Sequence, residues 1–226
     1  MTLKKASYLF VIAVMAFFAG CSKTDSGTGD ITDYEGNTYR TVRIGEQVWM
    51  AENLRSTVLN DGTPVTLAAD STTWQTLTGP GYCWYNNDPA NKDIYGALYN
   101  AYTTDSSRIC PAGWHVPSKE EWQVLVTYLG DSLDAGGMLK EAGTLHWNEP
   151  NTGADNKSGF SATGAGVRYF QGTFSSELDY TAIWSATATG SAEQWFLGLY
   201  YGNTSASFGH RKKTYGFSIR CIRDAE

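Results

Sequence analysis

The 226-residue chain has no HExxH helix, no G-x-S-x-G elbow, no P-loop and no Rossmann glycine fingerprint. Each of these would place a metal, a nucleophile or a phosphate cradle, and without them no specific catalytic signal is present. Histidine is scarce: His115, His146 and His210 are scattered without tight metal-ligand spacing. His115 sits inside Trp-His-Val-Pro and reads as a hydrogen-bonded structural residue. Basic residues are outnumbered, 17 against 23 acidic, for a net charge of −6. That balance argues against nucleic acid or anionic lipid as partners. There is no internal repeat, and no break in composition after residue 31 marks a second domain. A helix crossing a bilayer needs about 20 apolar residues, and no apolar run beyond the leader approaches that length.

The leader itself is informative. Lys4 and Lys5 supply a positive start, and Tyr8 to Ala19 form an apolar run that ends at Ala19-Gly20-Cys21. This is the arrangement a lipoprotein signal peptidase reads. Cleavage after residue 20 would leave Cys21 as a lipid-bearing N-terminus. The expected protein is lipid-anchored in the cell envelope, with Ser22 compatible with outer-membrane delivery, facing either periplasm or surface. Residues 22–30 are small and polar and read as a flexible tether. Removing residues 1–20 leaves 206 residues, enough for one well-filled core, here assigned to 31–226. The leader takes two lysines with it, so the remainder carries 15 basic and 23 acidic side chains, near −8.

Of four cysteines, Cys21 is assigned to lipid, leaving Cys83, Cys110 and Cys221 in a compartment that permits disulfides. Cys221 lies in Gly216-Phe217-Ser218-Ile219-Arg220-Cys221-Ile222, a period-two run that reads as the last strand with Phe217, Ile219 and Cys221 inward. A Cys110–Cys221 bridge is favoured because it would tie the end of the chain to its middle; spacing alone leaves the pairing open.

The clearest helix covers 118–129. Ser118 and Glu121 have capping-box spacing, Trp122, Leu125 and Leu129 share one face, and Gly130 can end it. A shorter helix is expected over Ala135 to Glu141. Strands are expected at Thr38–Ile44 and Gln47–Met50, forming a hairpin around Gly45-Glu46. Others are expected at Tyr82–Tyr85, Gly166–Phe170, Ala182–Thr187 and Gln194–Tyr201. Residues 60–81 read mostly as loop, and 143–166 is a Gly- and Asn-rich passage. Few helices, short antiparallel strands and long irregular loops indicate an α+β fold.

Six ordered blocks carry a family resemblance. They are Trp49-Met50-Ala51-Glu52-Asn53-Leu54; Tyr82-Cys83-Trp84-Tyr85-Asn86-Asn87-Asp88; Tyr95-Gly96-Ala97-Leu98-Tyr99-Asn100; Cys110-Pro111-Ala112-Gly113-Trp114-His115-Val116-Pro117-Ser118 with Glu121-Trp122; Pro150-Asn151-Thr152-Gly153-Ala154 with Ser158-Gly159-Phe160; and Gly216 to Asp224. In this order they resemble the Fibrobacter succinogenes major paralogous domain, common in lipoproteins of Bacteroidetes-type bacteria. The likeness spans about 31–224. Ala101 and Ala186 depart from its pattern, which has an aromatic and a Ser there. A more distant likeness links Val116-Pro117-Ser118-Lys119-Glu120-Glu121-Trp122 and the closing Gly-Phe-Ser-Ile-Arg-Cys-Ile-Arg to the formylglycine-generating enzyme family. It implies an elaborated C-type-lectin-like fold. It does not carry activity with it, because the chain offers no match to that family's pair of copper-engaging cysteines.

Eight Trp and fourteen Tyr invite an aromatic sugar-binding surface, although core packing accounts for most such rings. Trp74, Trp84, Trp147 and Trp195 are candidates to stack on a ligand. Glu149-Pro150-Asn151 matches a triplet with which sugar-binding C-type lectins hold calcium, and Asn148, Asp155 and Asn156 could add oxygens. No cofactor is expected, calcium being the one the sequence could accommodate; against it, the lectin Trp-Asn-Asp partner motif is missing, with Ile183-Trp184-Ser185-Ala186 in its place. The expected function is a non-catalytic, envelope-anchored recognition module for a carbohydrate or a surface protein. The alternatives are an enzyme of altered chemistry on the formylglycine-generating scaffold and a purely structural envelope protein.

Overall fold

The computed structural model describes residues 29–105 and 107–224. The leader, Cys21 and most of the tether lie outside the described residues. Among those described, no helix is long and apolar enough to cross a membrane.

The described chain opens with a small ribbon, β1 (Ile31–Thr32) paired to β2 (Thr38–Tyr39). Asp33 organises its turn: one carboxylate oxygen accepts from the backbone N–H groups of Glu35 (3.0 Å) and Asn37 (2.9 Å), and the other accepts from Tyr39 OH (2.7 Å). The hairpin expected around Gly45-Glu46 is present as β3 (Thr41–Ile44) and β4 (Gln47–Met50), antiparallel. It starts at Thr41 rather than Thr38 because Thr38 and Tyr39 are committed to β1. A third sheet joins β5 (Thr66–Leu67), β6 (Gly81–Cys83) and β7 (Leu98–Tyr99), with β5 parallel to β6.

Helix α1 (Ser71–Thr76) interrupts the segment expected to be loop, and α2 (Lys92–Tyr95) precedes β7. Helix α1 has two causes: Asp70 caps it by accepting from Thr73 N (2.8 Å), and its single apolar anchor, Trp74, is buried. Helix α3 (Lys119–Tyr128) has the expected capping box, with Glu121 N donating to Ser118 Oγ (3.1 Å) and Ser118 N to Glu121 Oε2 (2.7 Å). Helix α4 (Ala135–Leu139) stops two residues short of the expected end because Lys140 turns extended.

The largest sheet has five strands: β8 (Ala165–Arg168), β9 (Phe174–Glu177), β10 (Tyr180–Ala188), β11 (Glu193–Tyr200) and β12 (Ala206–Lys212). Their spatial order is β12-β11-β10-β8-β9. The pairings are antiparallel except for β8 with β10, so the short antiparallel strands expected are joined by two parallel pairs, this one and β5 with β6. Strand β13 (Ile222–Asp224) closes the chain against β4.

The strand period of two distributes the core to both faces of this framework. Ala182, Trp184 and Phe196 pack with Met50, Tyr99, Phe217, Ile219 and Cys221 on one side. Ile183, Leu197 and Leu199 pack on the other with Trp49, Trp122, Leu125, Trp147, Phe160 and Ile222. Each large apolar side chain so removed from water stabilises by roughly 2–3 kcal/mol. The last segment runs between these halves. Phe217 exchanges backbone bonds with Tyr99, Ile222 with His115 and Gly216 with Arg168, while Ile219 O and Cys221 O accept from Leu54 N and Met50 N. Unlike an ordinary half-buried strand, both of its faces are covered: Ser218 and Arg220 are as buried as Phe217, Ile219 and Cys221. Cys221 is bonded to Cys110, with Cα atoms 5.9 Å apart, as the favoured pairing expected.

Candidate functional site

Asn53 follows β4 and is buried. Its amide donates to Tyr95 O (2.8 Å) and Ser218 Oγ (3.3 Å), and its oxygen accepts from Arg220 Nε (2.8 Å). Gly96 lies beside it at φ +72°; a Cβ there would fall 2.7 Å from Leu54 O, so only glycine permits the approach. Arg220, itself buried, completes its hydrogen bonds with Phe160 O and Ser161 O (2.9 Å). Burial pushes its pKa down to about 9.

Above this floor opens a cleft of about 280 Å³, at the small end of ligand-binding pockets. Glu52 stands on one wall, 2.8 Å from Arg40 and 3.6 Å from Arg55, and Arg55 also faces Asp93 at 3.6 Å. On the other wall His146, which lines the cavity, has its ring oriented by Nδ1 lying 2.8 Å from Glu141 Oε2. Tyr95 meets the imidazole edge-on at 5.9 Å. Burial, then the nearby Glu177 carboxylate, pushes the Tyr95 phenol up to about 12. Lys92, Ser161 and Thr163 complete the polar lining.

A second concavity is aromatic. Tyr169, Tyr180, Phe196, Tyr215 and Phe217 line a pocket of about 140 Å³ on one face of the five-stranded sheet, with Arg211 and Ser176 as its polar groups. Tyr169 is 38% exposed and packs edge-on against Tyr215 at 5.8 Å. Phe170 approaches Tyr215 from another side at 5.8 Å, and Lys212 Nζ lies 4.4 Å from the Phe170 ring centre. A shallower depression beside it is formed by Tyr169, Gln171, Thr173 and Tyr215.

A profile of the Fibrobacter succinogenes major domain matches residues 42–223. The chain belongs to that family. No curated protein and no solved structure matches it. In this major domain, blocks far apart in sequence meet at the charged cleft: Glu52 and Asn53 from the first, Tyr95 and Gly96 from the third, and Arg220 from the last. The cleft was not visible in the sequence because its groups are single residues from distant segments. Glu141 and His146 both lie past the end of α4, in an irregular stretch with no periodic pattern, which hides their pairing.

The sequence-predicted ligand residues of the major domain fare unevenly. Trp84, Trp147 and Trp74 are 9%, 1% and 1% exposed, so their expected stacking role is corrected: they are core anchors with no free face. Trp84 packs edge-on against Tyr82 at 5.3 Å, and Trp147 and Trp74 donate their indole N–H to Ala162 O and Thr214 O (2.8 Å each). Trp195 is half-buried, with Lys119 Nζ lying 3.7 Å from its ring centre. Glu149 is exposed, whereas Asn151 is buried and its amide donates to Glu141 O (2.9 Å) and Gly143 O (2.6 Å). Asn148 donates to Asp179, Asn156 to Ser161, and Asp155 pairs with Lys157 at 2.7 Å. Asn148, Asn151, Asp155 and Asn156 are thus each held by a different partner, and Asn151 Oδ1 is buried without a hydrogen bond among the described residues. His115 lies 2.7 Å from Glu121, part of the α3 cap. Cys83 is a buried thiol that burial pushes up to about 11.

Proposed function

We propose that this protein is a lipid-anchored envelope protein whose major domain recognises carbohydrate without catalysis. The observation that carries this reading is the aromatic concavity of Tyr169, Tyr180, Phe196 and Tyr215, edged by Arg211, Ser176, Gln171 and Thr173. Tyrosine faces offer apolar area to the C–H faces of a sugar, and their hydroxyls and the flanking polar groups fix its orientation. The elaborated C-type-lectin-like fold belongs to the same proposal. It is supported by the long excursions between short elements and by the way the last strand is seated at the centre. The Cys110–Cys221 bridge supports an oxidising compartment, and the Ala19-Gly20-Cys21 junction supports lipidation at Cys21. Calcium forms no part of this reading, because the Asn151 amide is turned to two backbone carbonyls and Asn148, Asp155 and Asn156 are each held by a separate group.

Two measurements test it. Mass spectrometry of membrane-extracted protein is expected to find Cys21 acylated at a new N-terminus; a chain still carrying residues 1–20 would overturn the anchor. A glycan array with residues 21–226 is expected to show binding that Tyr169→Ala weakens roughly fivefold, since one aromatic contact contributes on the order of 1 kcal/mol. No glycan bound, or undiminished binding by the variant, would count against the concavity.

A second reading, an enzyme of altered chemistry, is favoured by one observation: the Glu141–His146 pair sits in a cleft with Arg220 beneath it. It gains nothing from the cysteines, since Cys83 is buried and Cys110 and Cys221 are joined.

A further inference from the structure

We propose that the cleft between Glu52 and His146 binds a small monoanion, a hydroxyl-bearing carboxylate of the sugar-acid class. The charge of the lining is the first argument. Arg40, Arg55, Lys92 and Arg220 face Glu52, Asp93 and Glu141, so four cations meet three carboxylates and one positive charge is left over. All three carboxylates are engaged: Glu52 by Arg40 and Arg55, Asp93 by Arg55, Glu141 by His146. Among the described residues Lys92 has no ion-pair partner. The bonds Arg220 makes go to neutral oxygens of Asn53, Phe160 and Ser161. A local positive surplus is notable in a chain of net charge −6, whose general surface repels anions.

The class of anion follows from the donors. A guanidinium has five N–H groups in a planar fork. Three hydrogen bonds from Arg220 leave two N–H groups, on a side chain whose plane suits the two oxygens of a carboxylate. A surplus of one charge fits a monoanion better than a phosphate dianion. Hydroxyl recognition follows from the remaining lining: Thr163 supplies a hydroxyl, and His146 Nε2 has no partner among the described residues, while the Ser161 hydroxyl is held by Asn156 and Gly159 O. The volume of about 280 Å³ restricts the ligand to small molecules.

Isothermal titration of residues 21–226 with sodium glucuronate, glucose and inorganic phosphate tests this. Glucuronate is expected to bind one-to-one and at least about tenfold more tightly than glucose. Lys92→Gln is expected to weaken it roughly threefold to fivefold, the effect of one partly exposed charge. Lys157→Gln, a lysine outside the cleft, is the matched control, and unfolding curves establish that both variants fold. No heat with glucuronate, equal affinity for glucose, tighter binding of phosphate, or an unaltered Lys92→Gln variant would each overturn the proposal. The inference is independent of the aromatic concavity: loss of glucuronate binding in Tyr169→Ala would move the site there and refute the cleft.

Discussion

Lys140 is fully buried, and its ammonium donates to Thr152 O (3.0 Å), Tyr200 O (3.1 Å) and Asn203 O (2.9 Å). Arg168 and Arg220 are used in the same way, each bonding carbonyls from separate loops, and among the described residues no carboxylate pairs with any of the three. A buried cation without a counter-ion is costly, so the return must come from the backbone it fixes. For Lys140 that return is a bond between the 143–166 passage and the β11–β12 turn. Methionine fills similar space and donates nothing. Lys140→Met is therefore expected to cost about 2–4 kcal/mol at pH 7, as buried carbonyls lose their donor. Burial holds the Lys140 pKa at about 8, below its ordinary 10.5, so between these values the folded state binds fewer protons than the unfolded one. The linked stability is fully present above 10.5 and is lost as pH falls through 8. The gap between wild type and Lys140→Met should widen from pH 8 to pH 10 by on the order of 2 kcal/mol. Urea unfolding at pH 7, 8 and 10 measures both effects, and a gap that narrows above pH 8 would contradict the assignment.

At the scale of elements, what could be read from the sequence was what carries its own signal. Helix α3 announces itself with Ser118, Glu121 and the Trp122/Leu125 stripe, and the structure places each where the spacing put it. Strands β10 and β11 are apolar and long enough to show themselves. Helix α1 does not, because six residues around one buried Trp74 make no periodic pattern. Strand β12 is equally silent: Ala206-Ser207-Phe208-Gly209-His210-Arg211-Lys212 is polar, mostly exposed, and held by its backbone ladder to β11. The candidate sites were less legible than the fold for a related reason. Exposure is a property of the whole packing, so Trp84 and Trp147 looked available although both are core. Tyr169 and Tyr215, 46 positions apart, gave no hint that they meet.

The whole molecule depends on the segment from Tyr215 to Arg223. It threads between the two core halves, touching β4, β7, β8, β10 and the His115 segment, and delivers Arg220 to the floor of the cleft. Such a segment can be placed only after everything it pairs with has formed, so its stability reflects long-range closure rather than local preference. The Cys110–Cys221 bond, with a sequence separation of 111, restricts that closure in the unfolded chain. In the chain-entropy account this contributes on the order of 4–5 kcal/mol. Replacing both cysteines by alanine should therefore lower the free energy of unfolding by about that amount. Because Arg220 precedes Cys221, the double variant should also bind glucuronate more weakly than wild type at temperatures approaching its transition. Guanidinium unfolding of the wild type with and without reductant, beside Cys110→Ala/Cys221→Ala, separates the crosslink from the packing of the two side chains. If the double variant unfolds at the wild-type midpoint, the backbone bonds to Leu54, Tyr99, His115 and Arg168 hold the strand by themselves, and the disulfide is not what secures it.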